Sequence, residues 1–377
     1  MKKSNYKNPK KYKTIIVGAG SAGLGTAVVL ERLGIEYIVL EKDEIGSSFK
    51  KWPEESRLIS PSFTGNFFQM PDLNAITPDT SPAFNLVTEH PTGKEYAEYL
   101  EIVADAFELK IQTNIEVNAI IQKDKHFLLN TNDGDYESKY VIWAAGEYQY
   151  PKQLSFEGGH LCTHFSEISS FHELPGEQRI VIGGYESGFD AAINLIYADK
   201  EVIMLDSSNY LELINSDSSY SLSPFTRDRI HEIFDDLSYH KHTRAEKVEF
   251  HDGVYTVTAT DDKKFQSRNK PINCTGFDTS IVLVKDLFEH NEDYPLLNDS
   301  DESTKTKNLF LVGPQVKHGN ALFCFIYKYR QRFAIVAQEI AKREGITGEI
   351  LTKLLEEYEI NNFYLKDLSC CDNECVC

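Results

Sequence analysis

The chain has 377 residues, 41% of them hydrophobic and 26% charged, with a formal net charge of −19. That length predicts two or three domains rather than one small core. The negative balance argues against nucleic acid and anionic membrane as partners, because both demand Lys and Arg. No stretch approaches the ~20 apolar residues that a membrane-spanning helix needs. The N-terminus, MKKSNYKNPKKYK, is basic and polar and lacks the apolar segment and small-residue cleavage site of a secretory leader. A cytoplasmic protein is expected.

The first chemical motif begins at Thr14-Ile15-Ile16-Val17, an apolar, β-branched run of the kind a buried parallel strand requires. Gly18-Ala19-Gly20-Ser21-Ala22-Gly23 follows. In this G-x-G-x-x-G turn Gly18 permits the tight bend, Gly20 lets backbone approach a pyrophosphate, and Gly23 lets the next helix pack on the sheet. The free N–H groups and positive dipole end of that helix face the phosphates. A second strand, Tyr37-Ile38-Val39-Leu40, ends at Glu41, whose carboxylate is placed to accept a ribose hydroxyl, with Lys42 beside it.

The pattern returns later. Ile180-Val181-Ile182 leads into Gly183-Gly184-Tyr185-Glu186-Ser187-Gly188, and Val202-Ile203-Met204-Leu205 ends at Asp206. In both copies the acid stands 23 residues after the first glycine (18 to 41, and 183 to 206). Two such units predict two nucleotides, one to donate electrons and one to hold them. The second departs from the pattern at Tyr185, where the middle glycine is expected. Asp206 would accept from a ribose 2′-OH and repel a 2′-phosphate, which favours NADH over NADPH. Gly183, Gly184, Ser187 and Gly188 complete that expected site.

Residues 208–224 are polar and serine-rich and are expected to form a mobile surface segment. Asp252-Gly253 followed by alternating residues predicts a hairpin over 251–258. Asn320 to Arg343 is expected to form one long helix. Its start, after His318-Gly319, would aim a positive end at the redox centre.

Cys162, Cys274 and Cys324 are expected as buried small hydrophobes in a reducing compartment. Four more cysteines, Cys370, Cys371, Cys375 and Cys377, crowd into the last eight residues, CCDNECVC. No cysteine lies in 42–56 or 183–199, so the tail holds the available redox pair. Its spacing could also hold a soft thiophilic ion, although it is not that of a structural zinc site. A tail with no role is the third reading. No metal site is otherwise expected.

With both units in view, the chain resembles a two-dinucleotide-binding-domain flavoprotein. Within that superfamily it is similar to the flavin-containing monooxygenase-like group, especially the bacterial CzcO-like flavoproteins. Val141-Ile142-Trp143-Ala144-Ala145-Gly146-Glu147-Tyr148-Gln149-Tyr150-Pro151 resembles the A-T-G-x-x-x-x-P stretch of the family, which implies Ala145 and Gly146 at the cofactor. Ile272 to Phe277 resembles the matching crossover. Asn308 to Gly313 resembles the strand beside the flavin ribityl chain, with Pro314 where the family carries an acid. Ile45 to Pro53 resembles the G-G-x-W segment, which implies Ser48, Phe49 and Trp52 near the isoalloxazine. Val117 would meet the adenine through its backbone. Phe156-Glu157-Gly158 and His164 resemble the F-x-G-x-x-x-H fingerprint, but Cys162 takes the expected His position. Asn66 matches an Asn near the flavin of some members. The bacilliredoxin-reductase group is similar over Trp52–Pro71 and Pro91–Leu100, but its glycine-loop cysteine would fall at Ala22.

The resemblance implies an α/β fold with two Rossmann-like dinucleotide-binding domains, the FAD domain split by an inserted NAD(P)H domain. Residues 10–155 and 275–345 would form the first and 156–274 the second. Residues 346–377 would be a C-terminal helix and Cys-rich tail. The implied cofactors are FAD with NADPH or NADH. The implied activity is that of an FAD-dependent oxidoreductase, monooxygenase-like. The alternatives are a thiol/disulfide or metalloid reductase that uses the tail, and a non-catalytic FAD-binding redox sensor. A small-molecule substrate or a small thiol or disulfide is the expected partner, with homodimerisation left open.

Overall fold

The β-branched run that ends at Val17 forms the buried inner half of strand β1 (Lys10–Val17) in a computed structural model that describes residues 8–65, 71–215, 217–291 and 294–369. Asn66 and the tail cysteines Cys370, Cys371, Cys375 and Cys377 lie outside the described residues. Helix α1 (Ser21–Arg32) follows β1 directly and returns the chain to β2 (Tyr37–Leu40), whose four residues are all buried and run parallel to β1. Two short helices, α2 (Ser47–Lys50) and α3 (Pro82–Leu86), precede α4 (Gly93–Ala106). Thr92 and Glu95 start α4 with a reciprocal capping box. Strand β3 (Ile111–Gln112) joins the edge beside β2. An antiparallel meander of β4 (Val117–Gln122), β5 (Phe127–Thr131) and β6 (Gly134–Trp143) then brings the chain back beside β1.

The second sheet is wholly parallel. It contains β7 (Thr163–His164), β8 (Gln178–Ile182) and, after helix α5 (Glu186–Tyr197), β9 (Glu201–Leu205). Helix α6 (Pro224–Ile233) leads to β10 (Leu237–His240). A separate antiparallel sheet of β11 (Ala245–His251), β12 (Val254–Ala259) and β13 (Lys264–Ser267) precedes β14 (Ile272–Asn273), which completes the order β10-β9-β8-β14-β7. The expected hairpin is present: Asp252 and Gly253 both take positive φ, 52° and 79°, between β11 and β12. A small hairpin of β15 (His290–Asn291) and β16 (Tyr294–Pro295) follows. Strand β17 (Leu309–Leu311) then re-enters the first sheet, parallel to Val141–Trp143 of β6. Both sheets are therefore Rossmann-like, as expected.

Two local expectations fail. The long helix over 320–343 does not form. Residues 317–322 are instead a hairpin of β18 (Lys317–His318) and β19 (Ala321–Leu322). Helical structure starts only at α7 (Ile326–Tyr329), passes through a 3₁₀ turn and continues as α8 (Phe333–Arg343), before α9 (Glu349–Ile360). His318 consequently does not start a helix at a redox centre. Its Nε2 lies 2.6 Å from Asp301 Oδ1. Asp301 also accepts from Arg332 Nε and Nη2, both at 2.9 Å, and Asp301 and Arg332 are fully buried. Two further Arg332 N–H groups reach the carbonyls of Asp299 and Leu365, so one buried ion pair ties four stretches of chain together.

The 208–224 segment is not a loose surface loop either. Its second half is pinned. Asp217 and Ser219 bond Lys328 Nζ, and Ser218 Oγ lies 2.6 Å from the Tyr327 hydroxyl. Side-chain polarity reads as exposure in a sequence, but here the polar groups bond the side chains of α7.

Breaking a buried ion pair from one side leaves an uncompensated charge. Arg332→Met should therefore destabilise the fold by about 3–5 kcal/mol, measured as a lower denaturant midpoint. A change below about 0.5 kcal/mol would contradict this account of the pair.

Candidate functional site

The two glycine turns have nearly the same geometry. Gly18 has φ +108° and Gly183 φ +122°. A Cβ on Gly18 would stand 2.5 Å from the Ala144 carbonyl oxygen, and one on Gly183 would stand 2.4 Å from that of Cys274. A Cβ on Gly23 would meet Gly18 O at 1.9 Å, and one on Gly188 would meet Gly183 O at 2.0 Å. In each unit the first glycine thus passes the crossover strand and the last seats the helix against the turn.

At the carboxyl edge of the first sheet lies a cavity of about 1310 Å³. Gly18, Gly20, Ser21 and Ala22 line it from the turn, and Glu41 and Lys42 from the end of β2. Ser48, Phe49, Trp52 and Val117 also line it, and Ala145 and Gly146 do so just after β6. Gly23 and Gly313 do not line the cavity. Gly23 is a packing contact, and Gly313, with φ +105°, brings β17 past the Ala22 methyl, where an added Cβ would sit at 3.2 Å. Its neighbour Pro314 does line the cavity.

These residues fit an FAD. Gly20 is in extended backbone, φ −85°, and a Cβ built on it meets no protein atom within 4 Å, so the space in front of the α1 N-terminus is open. The Glu41 carboxylate accepts from Ala19 N–H at 2.7 Å and Asp43 N–H at 2.9 Å, which fixes it at the rim. Burial still raises its pKa above the ordinary value. Ser21 Oγ is held 2.6 Å from the Tyr329 hydroxyl. Phe49 packs edge-on to Tyr96 with ring centroids 4.7 Å apart and leans on Trp52 at 5.3 Å, so the aromatic wall is rigid.

The second unit keeps its turn but is differently dressed. Tyr185, the N-cap of α5, has its hydroxyl 3.1 and 3.0 Å from the carbonyl oxygens of Ser219 and Ser221, to which it donates. Asp206 is fully buried. It accepts from Ser208 N–H, Tyr210 N–H and the Tyr239 hydroxyl, at 2.8, 2.9 and 2.6 Å. Its carboxylate holds its own loop rather than facing the cavity. A Cβ on Gly184 would lie 2.1 Å from Asp206 Cγ, which is why glycine stands there. Of the residues expected at this site only Ser187 lines the cavity, with Tyr185 and Glu186; Gly183, Gly184, Gly188 and Asp206 do not.

His164 is buried and structural. It accepts from Ser166 N–H at Nδ1, and its Nε2 lies 2.9 Å from the Gly276 carbonyl. Burial lowers its pKa. Cys274 is buried as expected; Cys162 is only half-buried, although desolvation still raises its thiol to about 12. Cys324 differs from expectation: it lines the cavity, with its S–H directed to Ser219 Oγ at 3.2 Å. Sequence reasoning also passed over Glu147, Gln315 and Tyr329, all cavity residues. Glu147 lies inside a quoted motif and was the one with a visible signal. No three His, Cys, Asp or Glu side chains among the described residues are grouped to hold a metal.

Fold and site together define a two-Rossmann dinucleotide-binding oxidoreductase. The profile of the family described as pyridine nucleotide-disulphide oxidoreductase matches residues 15–313, and the chain belongs to that family. It is 24% identical to bacilliredoxin reductase Bdr of Bacillus subtilis over 345 residues, 88% of this chain and 98% of that protein. It is 29% identical to the uncharacterized oxidoreductase CzcO of the same organism over 210 residues, about half of each (53% and 56%). Among solved structures it is similar to the bacillithiol disulfide reductase Bdr (YpdA) from Staphylococcus aureus. The TM-score is 0.73 at 20% identity, covering 89% of this chain and 99% of that one. A flavin-containing monooxygenase from Stenotrophomonas maltophilia gives 0.68 at 16%, with the same coverage.

Gly20→Ala tests the cradle directly. The new methyl has room in the protein but stands where a pyrophosphate would approach. FAD affinity should fall at least about tenfold, or 1.4 kcal/mol. The stability of the flavin-free protein should stay within about 0.5 kcal/mol. Flavin fluorescence titration and denaturant melts measure the two effects.

Proposed function

We propose that this oxidoreductase uses FAD, is reduced by a pyridine nucleotide, NADH in preference to NADPH, and passes the electrons to a small molecule inside the cavity. The observation that carries this reading is the continuity of that cavity. It runs from the open first glycine turn, past Gly146 and Glu147, to Tyr185, Glu186 and Ser187 at the start of α5. On this reading residues 10–155 and 275–345 form the FAD unit and 156–274 the nicotinamide unit. Gly18 to Gly23 would take the pyrophosphate, Glu41 a ribose and Val117 the adenine, with Phe49 and Trp52 as the aromatic wall. The bound nucleotide supplies a hydride and the flavin holds its two electrons.

The preference for NADH rests on charge. Residues 207–216, after Asp206, contain no Lys or Arg. Arg227 is spent on the carbonyls of Leu211, Leu213 and Leu222, and Lys241 pairs with Glu212. Neither of these two cations is free to meet a 2′-phosphate.

Dioxygen is the first acceptor we propose, in keeping with the resemblance of the sequence motifs to flavin-containing monooxygenases. A small disulfide is the second, and the likeness to Bdr, which runs nearly the whole length of both chains, favours it. The described residues offer no dithiol for that chemistry: Cys324 alone lines the cavity, and Cys162 and Cys274 do not. On the second reading Cys370, Cys371, Cys375 and Cys377 would carry the electrons outward.

An anaerobic titration with NADH, then NADPH, of protein pre-treated with peroxide separates these readings. Bleaching by NADH with two electrons taken up per flavin is expected. Four electrons, falling to two when the tail cysteines become Ser, would transfer the assignment to a thiol-linked reductase. No bleaching by either nucleotide would leave an FAD-binding sensor. Tyr185→Phe removes the hydroxyl that holds the 219–221 carbonyls over α5. It should speed bleaching about two- to tenfold, the worth of one modest hydrogen bond. Stopped-flow absorbance reads that rate, and an unchanged rate would mean Tyr185 does not restrict entry.

A further inference from the structure

Glu147 follows Gly146 at the end of β6, on the carboxyl edge of the first sheet, where ligands of such sheets bind. Its side chain lines the cavity. Each of the other carboxyl groups there has at least two donors or a cation partner, or is exposed. Glu41 accepts two backbone amides, Glu116 pairs with Lys42 at 3.3 Å, and Asp190 pairs with Arg229 at 2.9 Å. Glu186 accepts from Ser223 N–H and the Thr226 hydroxyl, at 2.5 and 2.6 Å, and Asp278 is exposed.

Glu147 has a single donor among the described residues, the side-chain amide of Gln315, which reaches Oε2 from the turn after β17. No cation among the described residues pairs with it. The titratable groups that face it from the α7 side are Cys324 and Tyr329, and burial raises both, so they are neutral near pH 7. Tyr148 and Tyr150 on its own turn are raised for the same reason. Its second oxygen is left for whatever fills the cavity. Desolvation pushes this carboxyl up to about 7, and the Gln315 amide holds it from rising further.

The chemistry proposed above lacks one proton. A hydride carries two electrons and one proton. Reducing a disulfide to two thiols consumes two electrons and two protons. Inserting one atom of dioxygen into a substrate and releasing the other as water consumes the same. The second proton must come from the protein or from water in the cavity.

We propose that Glu147 is the residue that supplies this proton to the small molecule in the cavity, with Gln315 as its positioning residue. The inference rests on the function proposed above and holds for dioxygen, or for a disulfide, that is reduced inside the cavity. Glu147 gives up its proton as the acceptor takes the electron pair, and the carboxylate is reloaded from water. The acid form is the active one, so the acceptor half-reaction is full below pH about 7 and falls about tenfold per unit above it.

The test uses holoenzyme reduced with dithionite, so that it does not depend on the nicotinamide. Reoxidation is followed by stopped flow against dioxygen and against hydroxyethyl disulfide, from about pH 6 to about pH 9. Wild type should bend near pH 7 with at least one of the two probes. Glu147→Gln should reoxidise about a hundredfold more slowly and lose the bend. Gln315→Leu should keep the bend but move it to higher pH, because it removes the donor that stabilises the carboxylate; a merely structural role for either residue would not shift the profile. The infrared difference between wild type and Glu147→Gln over the same range gives a readout without turnover. It should show a protonated carboxyl lost near pH 7. A bend that survives in Glu147→Gln, or a carboxyl already ionised at about pH 6, would overturn the proposal. Failure of NADH to bleach the flavin would instead sink the function proposed above and leave the infrared result standing.

Discussion

The close approach of Gly23 to the Gly18 carbonyl is the contact on which the rest of the site depends. No side chain fits there, since a Cβ would stand 1.9 Å from that oxygen. Glycine lets α1 seat against the turn, and that aims the helix N-terminus at the end of β1. The cavity, the placement of Glu41 and the passage of β17 past Ala22 all follow from this seating. The same contact, Gly188 on Gly183, orders the second unit. One steric rule, used twice, gives two helix N-termini that line one cavity.

The two units diverge in what fills the space in front of each helix. Gly20 leaves it open, whereas Tyr185 fills the corresponding place and ties down the 219–221 backbone. Glu41 is held at a cavity rim by two amides. Asp206 is drawn wholly into its own loop by two amides and Tyr239. On the function proposed above, the first unit would hold a resident cofactor and the second a transient one. Lys328 reaches from α7 to Asp217 and Ser219, which ties that stretch to the helix whose Ile326 and Tyr329 line the cavity.

The sequence made legible what short-range sterics dictate. Strand, glycine turn and terminal acid were readable in both copies, because β-branched runs and fixed glycine spacing admit few backbone paths. The Asp252-Gly253 hairpin was readable for the same reason. What failed involved partners distant in sequence. His318 was read with the helix it seemed to start, but Asp301 and Arg332 claim it. The serine-rich 208–224 stretch was read as solvated, but Tyr185, Tyr327 and Lys328 bond it. Asp206 was read as a ribose ligand from its position alone, and the amides of residues 208 and 210 and the Tyr239 hydroxyl, which turn it inward, leave no local signature. Glu147 stood in a quoted motif, yet its isolation among committed carboxylates becomes visible only when the cavity is assembled.

The central claim is that one dinucleotide cradle is open and the other is closed over by Tyr185. The most direct measurement is to denature the freshly purified protein and quantify the nucleotides it releases by chromatography. This account predicts about one FAD per chain, as the open Gly20 cradle implies, and no retained pyridine nucleotide. Release of a stoichiometric pyridine nucleotide, or of no FAD from a protein that also fails to take it up, would contradict it.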